Sequence, residues 1–223
     1  MELLNLLKAF IFDLDGVITD TADLHFKAWK KCAKKLGIDI DLSFNEQLKG
    51  VDRMGSLERI LEYGGKANHF SIEEKVRLAE EKNDDYKELI SKITSVDILP
   101  GIYPLLVRII GRGFKIGVAS ASKNAPSILK SLGIDEFFNA TADPNTIDKG
   151  KPAPDIFLQA ASILHVQPSD CIGIEDANVG IEAIKKAGMF AVGIGDHLKE
   201  ADYLVKSTKE LTLDKLLKAW NKR

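Results

Sequence analysis

Acidic, basic and hydroxyl side chains occur at four places in the sequence where we expect strands to end. They are Asp13 and Asp15, Ser120, Lys151, and Glu175 with Asp176. Two neighbouring carboxylates repel each other unless a cation lies between them or one of them carries a proton. Carboxylate oxygens suit Mg²⁺, while lysine and serine side chains suit phosphoryl oxygens. Together these residue types indicate a site for a phosphate group and Mg²⁺.

Each of the four segments also has a simpler explanation when it is considered alone. A single aspartate at a strand end is commonly a helix cap or a turn residue. Lys151 precedes Pro152 and could be an ordinary surface lysine. The combination favours a functional site, because ligands of open α/β sheets bind at the carboxyl ends of the strands.

The elements that would position these side chains alternate between strand and helix. Residues 8–12 are mostly apolar, which is typical of a strand buried on both faces of a parallel sheet. Further strands are predicted over residues 114–120, 137–142, 171–174, 190–194 and 203–205, with helices between them. This order predicts an α/β fold with a doubly wound, mostly parallel, Rossmann-like sheet.

A long helical block interrupts this alternation after the first strand. Helices are predicted over residues 21–37 and 56–63, and from a capping box at Ser71 and Glu74 to about residue 93. We therefore expect an inserted α-helical cap domain over residues 17–92. Residues 1–16 and 93–223 would form the α/β core domain.

Composition excludes several other classes of protein. The chain has 223 residues with 31 Lys and Arg against 33 Asp and Glu, so it lacks the basic excess of a nucleic-acid-binding surface. Residues 102–110 are the most apolar stretch, which is too short for a membrane span. The amino-terminal residues lack the pattern of a signal peptide, and two cysteines are too few for a disulfide framework. We expect a cytoplasmic, monomeric protein that acts on a small molecule.

The four segments resemble the four motifs of the haloacid dehalogenase superfamily of phosphotransferases. Residues 12–21 are similar to the first motif, Ser120 to the second, Lys151 to the third, and Glu175 with Asp176 to the fourth. The resemblance extends over essentially the whole chain. It implies phosphoryl transfer with Mg²⁺ as cofactor.

The resemblance also implies roles for individual residues. Asp13 would be the nucleophile that becomes an aspartyl-phosphate, and Asp15 the general acid–base. The implied Mg²⁺ ligands are Asp13, Glu175, Asp176 and the backbone carbonyl of Asp15. The phosphoryl oxygens would be held by Lys151, Ser120 and Ser122 and by backbone amides around Leu14 and Ala121.

Segments within the predicted cap are similar to the sugar phosphomutase branch of the superfamily. This implies interconversion of β-D-glucose 1-phosphate and glucose 6-phosphate through an aspartyl-phosphate enzyme and a glucose 1,6-bisphosphate intermediate. Arg53 suits a second phosphate, because guanidinium binds phosphate in a bidentate manner. Thr21 and His25, four residues apart, would share a helix face and hold Asp15. The remaining residues assigned to the substrate are Trp29, Lys49, Gly50, Val51, Ser56, Lys82 and Asn124.

Several alternatives stay open at the level of sequence. Trp29 is better explained by packing within the cap, and His25 could be a buried histidine that packs against it. A sugar-phosphate phosphatase of the same fold would share every core motif. A catalytically silent binding protein is the third alternative, but the reacting acids are all present. The sequence also leaves open whether the Lys151–Pro152 bond is cis, because X–Pro bonds adopt both isomers.

Overall fold

The computed structural model describes residues 6–48 and 51–223. Within these residues, six strands form one sheet in the order β3-β2-β1-β4-β5-β6. The strands are β1 (Ala9–Phe12), β2 (Lys115–Val118), β3 (Ala140–Thr141), β4 (Cys171–Glu175), β5 (Phe190–Ile194) and β6 (Tyr203–Val205). Every pairing between neighbouring strands is parallel, so the predicted parallel α/β sheet is confirmed.

Helices connect the strands and form the predicted helical block. They are α1 (Ala22–Lys35), α2 (Leu42–Asn45), α3 (Arg53–Tyr63), α4 (Ile72–Ile90), α5 (Ile102–Gly111), α6 (Ala125–Ser131), α7 (Asp155–Ile163), α8 (Asn178–Lys186) and α9 (Leu213–Trp220). Among the described helices, none combines the length and apolarity needed to cross a membrane.

The sheet is buried on both faces, and its central strand shows why. Side chains alternate along a strand, so Phe10 and Phe12 of β1 pack on one face with α5, α6 and α9. Ala9 and Ile11 point to the other face, where α7 and α8 cover them. Because both faces are covered by helices, β1 reads as an apolar run without polar alternation.

Helices α1 to α4 have a hydrophobic cluster of their own, which contains Trp29, Phe44 and Leu57. The end of α4 is different, because Tyr86 and Ile90 belong to the cluster of the sheet. Two segments join the helical block to the sheet and run beside each other. The amide of Leu99 donates to the carbonyl of Ile18 at 2.8 Å, which ties these segments together.

Several element boundaries differ from the sequence-based expectation by one to three residues, including the start of α3 and the length of β3. Helix α3 begins at Arg53 rather than at residue 56, because the Asp52 side chain caps it by accepting a hydrogen bond from the Gly55 amide at 2.9 Å. Strand β3 has two residues rather than six, and a 3₁₀ turn over residues 135–137 includes the first residue of the predicted strand. The predicted capping box of Ser71 and Glu74 is confirmed at the start of α4.

Candidate active site

The carboxyl ends of three adjacent strands meet at a cavity of about 910 Å³. Strand β1 lies between β2 and β4, with Phe12 in register with Val118 and Ile174. The amide of Asp13 donates to the carbonyl of Ile174 at 2.9 Å, which extends this pairing beyond the strand. The sheet register therefore brings the predicted core motifs to one place.

Three carboxylates form a compact cluster at this edge. Asp13, Glu175 and Asp176 each offer one oxygen atom, and these atoms lie within 4.8 Å of one another. Gly16 has a φ of +76° and lies against the Asp176 carboxylate, where a side chain would collide with it. Hard oxygen donors at this spacing suit a divalent cation such as Mg²⁺. The residues present thus fit the predicted metal.

Lys151 neutralises part of this acidic cluster. Its Nζ donates to Asp13 Oδ1 at 2.6 Å and to Glu175 Oε1 at 2.7 Å, and all three side chains are buried. Burial alone would lower the pKa of Lys151, but the two carboxylates outweigh that effect and raise it. Burial raises the pKa of Asp13 to about 7, against the opposing charge of Lys151. The Lys151–Pro152 peptide bond is cis.

Asp15 is held by a short chain of hydroxyl groups. The Thr21 hydroxyl donates to Asp15 Oδ1, and the Tyr86 hydroxyl donates to Thr21 Oγ1 at 3.1 Å. Burial raises the pKa of Asp15 to about 6, while the hydrogen bond from Thr21 opposes that rise. Asp15 therefore stays in one orientation beside Asp13.

His25 occupies a different place from the one expected. Its Nδ1 lies 2.9 Å from Lys82 Nζ, and its ring lies against the ring of Tyr86 with the centroids 4.0 Å apart. Thr21 hydrogen-bonds to Asp15, whereas the hydrogen bond of His25 is to Lys82. Burial lowers the pKa of His25 well below its usual value, and the charges of Lys82 and Arg53 lower it further. A neutral imidazole can accept a hydrogen bond from the Lys82 ammonium group at Nδ1 without charge repulsion.

Lys82 is a buried cation of α4 that lacks a carboxylate partner in the described residues. Its Nζ lies 4.6 Å from the ring centroid of Trp29 and 4.7 Å from that of Tyr86. Burial lowers the pKa of Lys82 to about 7, and the charge of Arg53 adds to this effect. Trp29 belongs to the hydrophobic cluster of α1 to α4 and also lines the cavity. It can therefore pack within the helical block and contact a ligand as well.

A polar contact joins the helical block to the sheet across the cavity. Arg53 Nη2 donates to Asn83 Oδ1 at 2.8 Å, and Asn124 Nδ2 donates to the same oxygen at 2.9 Å. Arg53 and Asn83 lie on α3 and α4, while Asn124 precedes α6 of the core. The three side chains place nitrogen donors in one wall of the cavity, far in sequence from Asp13.

Most residues assigned from the sequence line this cavity, and a few lie behind its wall. The lining contains Asp13, Asp15, His25, Trp29, Val51, Arg53, Ser56, Lys82, Ser120, Ala121, Ser122, Asn124 and Asp176. Thr21, Lys151 and Glu175 are buried and contact lining residues, and Leu14 is part of the sheet's hydrophobic cluster. The Ser120 hydroxyl accepts from the Ser122 amide at 3.0 Å. Lys49 and Gly50 fall outside the described residues.

Sequence reasoning assigned no role to Asn83 and Tyr86. Both lie on α4 next to Lys82, at positions one and four residues further along. Most of helix α4 is polar, and its buried polar side chains are Lys82, Asn83 and Tyr86. Lys82 and Asn83 line the cavity, whereas the Tyr86 hydroxyl contacts Thr21 behind it. The sequence signal that could have identified them is the spacing of Asn83 and Tyr86, one and four residues after Lys82.

Comparison with known proteins agrees with this geometry. The profile of haloacid dehalogenase-like hydrolases matches residues 7–188. The chain belongs to this family. The resemblance of the four motifs is thereby confirmed, and so is the fold that it implied.

Individual members of the family show which proteins within it the chain is similar to. The chain is 53% identical over 216 residues to β-phosphoglucomutase of Bacillus subtilis, covering 96% of both chains. It superimposes on a crystal structure of β-phosphoglucomutase from Clostridium difficile with a TM-score of 0.96 and 54% identity, covering 97% of this chain and 98% of that one. Fructose-1-phosphate phosphatase YqaB of Escherichia coli is 33% identical over 82% of this chain and 94% of its own.

Proposed function

We propose that the chain is a β-phosphoglucomutase that interconverts β-D-glucose 1-phosphate and glucose 6-phosphate. The sequence and structure comparisons with two β-phosphoglucomutases support this over nearly the full chain. One observation favours a mutase over a phosphatase, namely that two cationic groups lie at different sides of one cavity. Lys151 lies beside Asp13 in the core, and Arg53 faces the same space from the cap side. A sugar with two phosphates needs both groups, whereas a phosphatase needs only the first.

The proposed cofactor is Mg²⁺. Its ligands would be Asp13, Glu175, Asp176 and the backbone carbonyl of Asp15, and the carboxylate cluster supports this assignment. When bound, the ion supplies positive charge to the phosphoryl group as it is transferred. Lys151 supplies a second positive charge from a position fixed by two ion pairs.

The first half-reaction uses Asp13 as the nucleophile. A carboxylate oxygen of Asp13 forms a bond to phosphorus while the bond from phosphorus to the sugar oxygen breaks, giving an aspartyl-phosphate. Asp15 donates a proton to the departing sugar oxygen and takes one from the hydroxyl that attacks in the reverse direction. The Thr21 hydroxyl, itself bonded to Tyr86, orients Asp15 for both steps. Ser120 lies at the same edge and would orient a phosphoryl oxygen.

The intermediate of the full cycle would be glucose 1,6-bisphosphate. One of its phosphates lies at Asp13 while Arg53 holds the other, and the Asn83 and Asn124 side chains position the guanidinium. Exchange of the two phosphates between these positions turns one isomer into the other. Lys82 and His25 would contact sugar hydroxyls from the cap side.

The division into two domains forms part of the proposal. Residues 1–16 and 93–223 would form the core, and residues 17–92 a cap that covers the site. A mutase must keep water from the aspartyl-phosphate, which a cap lying over the cavity achieves. The separate hydrophobic cluster of α1 to α4 supports this division.

The proposal is tested by ³¹P NMR with β-glucose 1-phosphate, Mg²⁺ and a trace of glucose 1,6-bisphosphate. We expect the glucose 6-phosphate signal to grow, and we expect no turnover of the α anomer. Release of inorganic phosphate without glucose 6-phosphate would establish the phosphatase alternative instead. Omission of the bisphosphate should introduce a lag, because the enzyme then lacks its phosphate donor.

A further inference from the structure

A second cavity, of about 890 Å³, lies at the opposite edge of the sheet. It is formed by the end of α8, the first residues of β5 and β6, and one side of α9. It shares no lining residue with the candidate active site. Its charged lining residues are Lys185, Lys215, Lys218, Lys222, Arg223 and the single carboxylate Asp202.

The one carboxylate in this lining is already engaged. Asp202 Oδ1 accepts from Lys185 Nζ at 2.6 Å, and its Oδ2 accepts from the Ala191 amide at 2.8 Å. Among the described residues, the remaining lysines of the cavity have no carboxylate partner; they are Lys215, Lys218 and Lys222. Their spacing of three and then four residues places them on one side of α9 and its extension. A chain with a net charge of −2 thus concentrates positive charge here.

Helix electrostatics do not account for the whole set. Lys218 lies in the last turn of α9, where a cation interacts favourably with the helix dipole. Lys215 is the third residue of the same helix, near its positive end, where a cation is unfavourable. The helix dipole therefore does not explain why Lys215 belongs to this set.

The floor of the cavity is apolar and aromatic. Phe190 and Tyr203 line it, and Trp220 lies behind the lining, where Phe190 packs edge-on against it with the ring centroids 5.9 Å apart. The Arg223 guanidinium lies 3.3 Å from the Trp220 ring centroid. An apolar floor with charged groups at its rim, in a volume within the usual range of about 300–1,000 Å³, is typical of a small-molecule site. The cavity is open to solvent on one side, and its volume matches that of a compact ligand.

We propose that this cavity binds a small polyanion that carries two or more phosphate groups. The unpartnered lysines of α9 would contact the phosphate oxygens, and the aromatic floor would take any organic part of the ligand. Because these charges are exposed, binding will weaken as salt concentration rises. The site is independent of the phosphomutase reaction.

The test is ¹⁵N–¹H NMR of the full chain titrated with tripolyphosphate and, separately, with ATP at low salt. Amide signals report the location of binding, so occupation of the active site does not obscure the result. We expect shifts at residues 185–190, 202–203 and 213–223. The double variant K218E/K222E reverses two charges that would contact the ligand. It should raise the Kd obtained from these shifts about tenfold or more. The matched control K130E/K209E makes the same change of net charge at two exposed lysines outside the cavity and should bind as the wild type does.

The two probes also distinguish the source of the phosphate groups. Tighter binding of ATP indicates a nucleotide whose base uses the aromatic floor, and equal binding indicates that the phosphate chain alone is recognised; both outcomes support the site. The milder variant K215Q should reduce binding several-fold if K218E/K222E fails to fold. The proposal is wrong if the cavity amides do not shift with either probe, or if the control loses as much affinity as K218E/K222E. Binding of an RNA oligonucleotide without either small probe would also overturn it.

Discussion

Two walls of the candidate active site hold their cations in opposite ways. We call them the core wall, formed by the ends of the strands, and the cap wall, formed by α1, α3 and α4. In the core, Lys151 makes ion pairs of 2.6 and 2.7 Å with two buried carboxylates. In the cap, Arg53 bonds to the amide oxygen of Asn83, and Lys82 contacts His25 and two aromatic rings. The cap cations therefore have neutral partners.

This difference separates the two tasks of the site. In the core, Lys151 is paired with two carboxylates, so these groups stay fixed and ready to stabilise a phosphoryl group during transfer. Among the described residues, neither cap cation makes an ion pair with a carboxylate, and a substrate phosphate would supply one. The substrate's own phosphate would therefore contribute to holding the cap over the site.

Removing the nucleophile from the core wall has the largest expected effect. D13N preserves the shape of the side chain but cannot form the aspartyl-phosphate, so kcat should fall roughly a thousandfold or more. Intact-protein mass spectrometry should show a phosphorylated wild type and no phosphorylated variant. D39N, at an exposed position outside the cavity, should behave as the wild type. Comparable activity of D13N and D39N would contradict the covalent mechanism.

Removing the cap guanidinium tests the second phosphate position. R53M should reduce mutase kcat/KM by about tenfold to a hundredfold, the range of a lost charge-assisted contact with phosphate. Hydrolysis of a small monophosphate should change much less, because that reaction uses only the core wall. R77M makes the same change on the exposed side of α4 and should leave both reactions unaltered. Equal losses of mutase and hydrolase activity in R53M would remove the distinction between the two walls.

The buried lysine of the cap should make stability depend on pH. Its pKa is about 7 in the folded protein and 10.5 when exposed, so the unfolded chain binds more protons between these values. Wild-type stability should therefore gain with rising pH across this window through this group. K82M removes the penalty and should raise the free energy of unfolding by about 1–3 kcal/mol at pH 7 and below, with a smaller gain near pH 10.

Urea unfolding at several pH values measures this gain. K87M replaces an exposed lysine of the same helix and should show no such pH-dependent difference. A constant difference between K82M and wild type across the window would show that Lys82 is not desolvated.

The smallest effect is expected at Gly150, where the segment before Lys151 comes close to the segment before α3. A Cβ added at Gly150 would lie 3.1 Å from Asp52 Oδ2, the carboxylate that also caps α3. G150A should raise KM about two- to fivefold with little change in kcat, because the cap must shift by a few tenths of an ångström. D52S/G150A should recover part of this loss by removing the contact. G111A, where an added Cβ meets nothing within 4 Å, provides the control.

The core wall could be predicted from the sequence because local patterns determine it. Asp13 and Glu175 each follow a short apolar run, and parallel strands place such residues at one edge. The cap wall could not be predicted as fully, because its contacts depend on how α1, α3 and α4 pack. Asn83 and Arg53 are hydrogen-bonded although they are 30 residues apart in the sequence, and Tyr86 and Thr21 are 65 residues apart.

Local signals also failed at some boundaries. The start of α3 was missed because Asp52 caps it without the acidic partner that marks a capping box. The contact between His25 and Lys82 could not be predicted for a related reason. Helical spacing predicts that His25 and Thr21 share a face, but it carries no information about which residue of α4 lies opposite.

The position of β1 has a consequence for how the chain folds. This strand comes first in the sequence yet lies in the middle of the sheet, and both of its neighbours, β2 and β4, follow more than a hundred residues later. Contacts this distant are slow to form, whereas the helices of residues 22–90 can pack locally. During synthesis the cap cluster can therefore form while β1 still lacks partners. Lys151 meets Asp13 across 138 residues, so the reacting centre is among the last parts of the molecule to assemble.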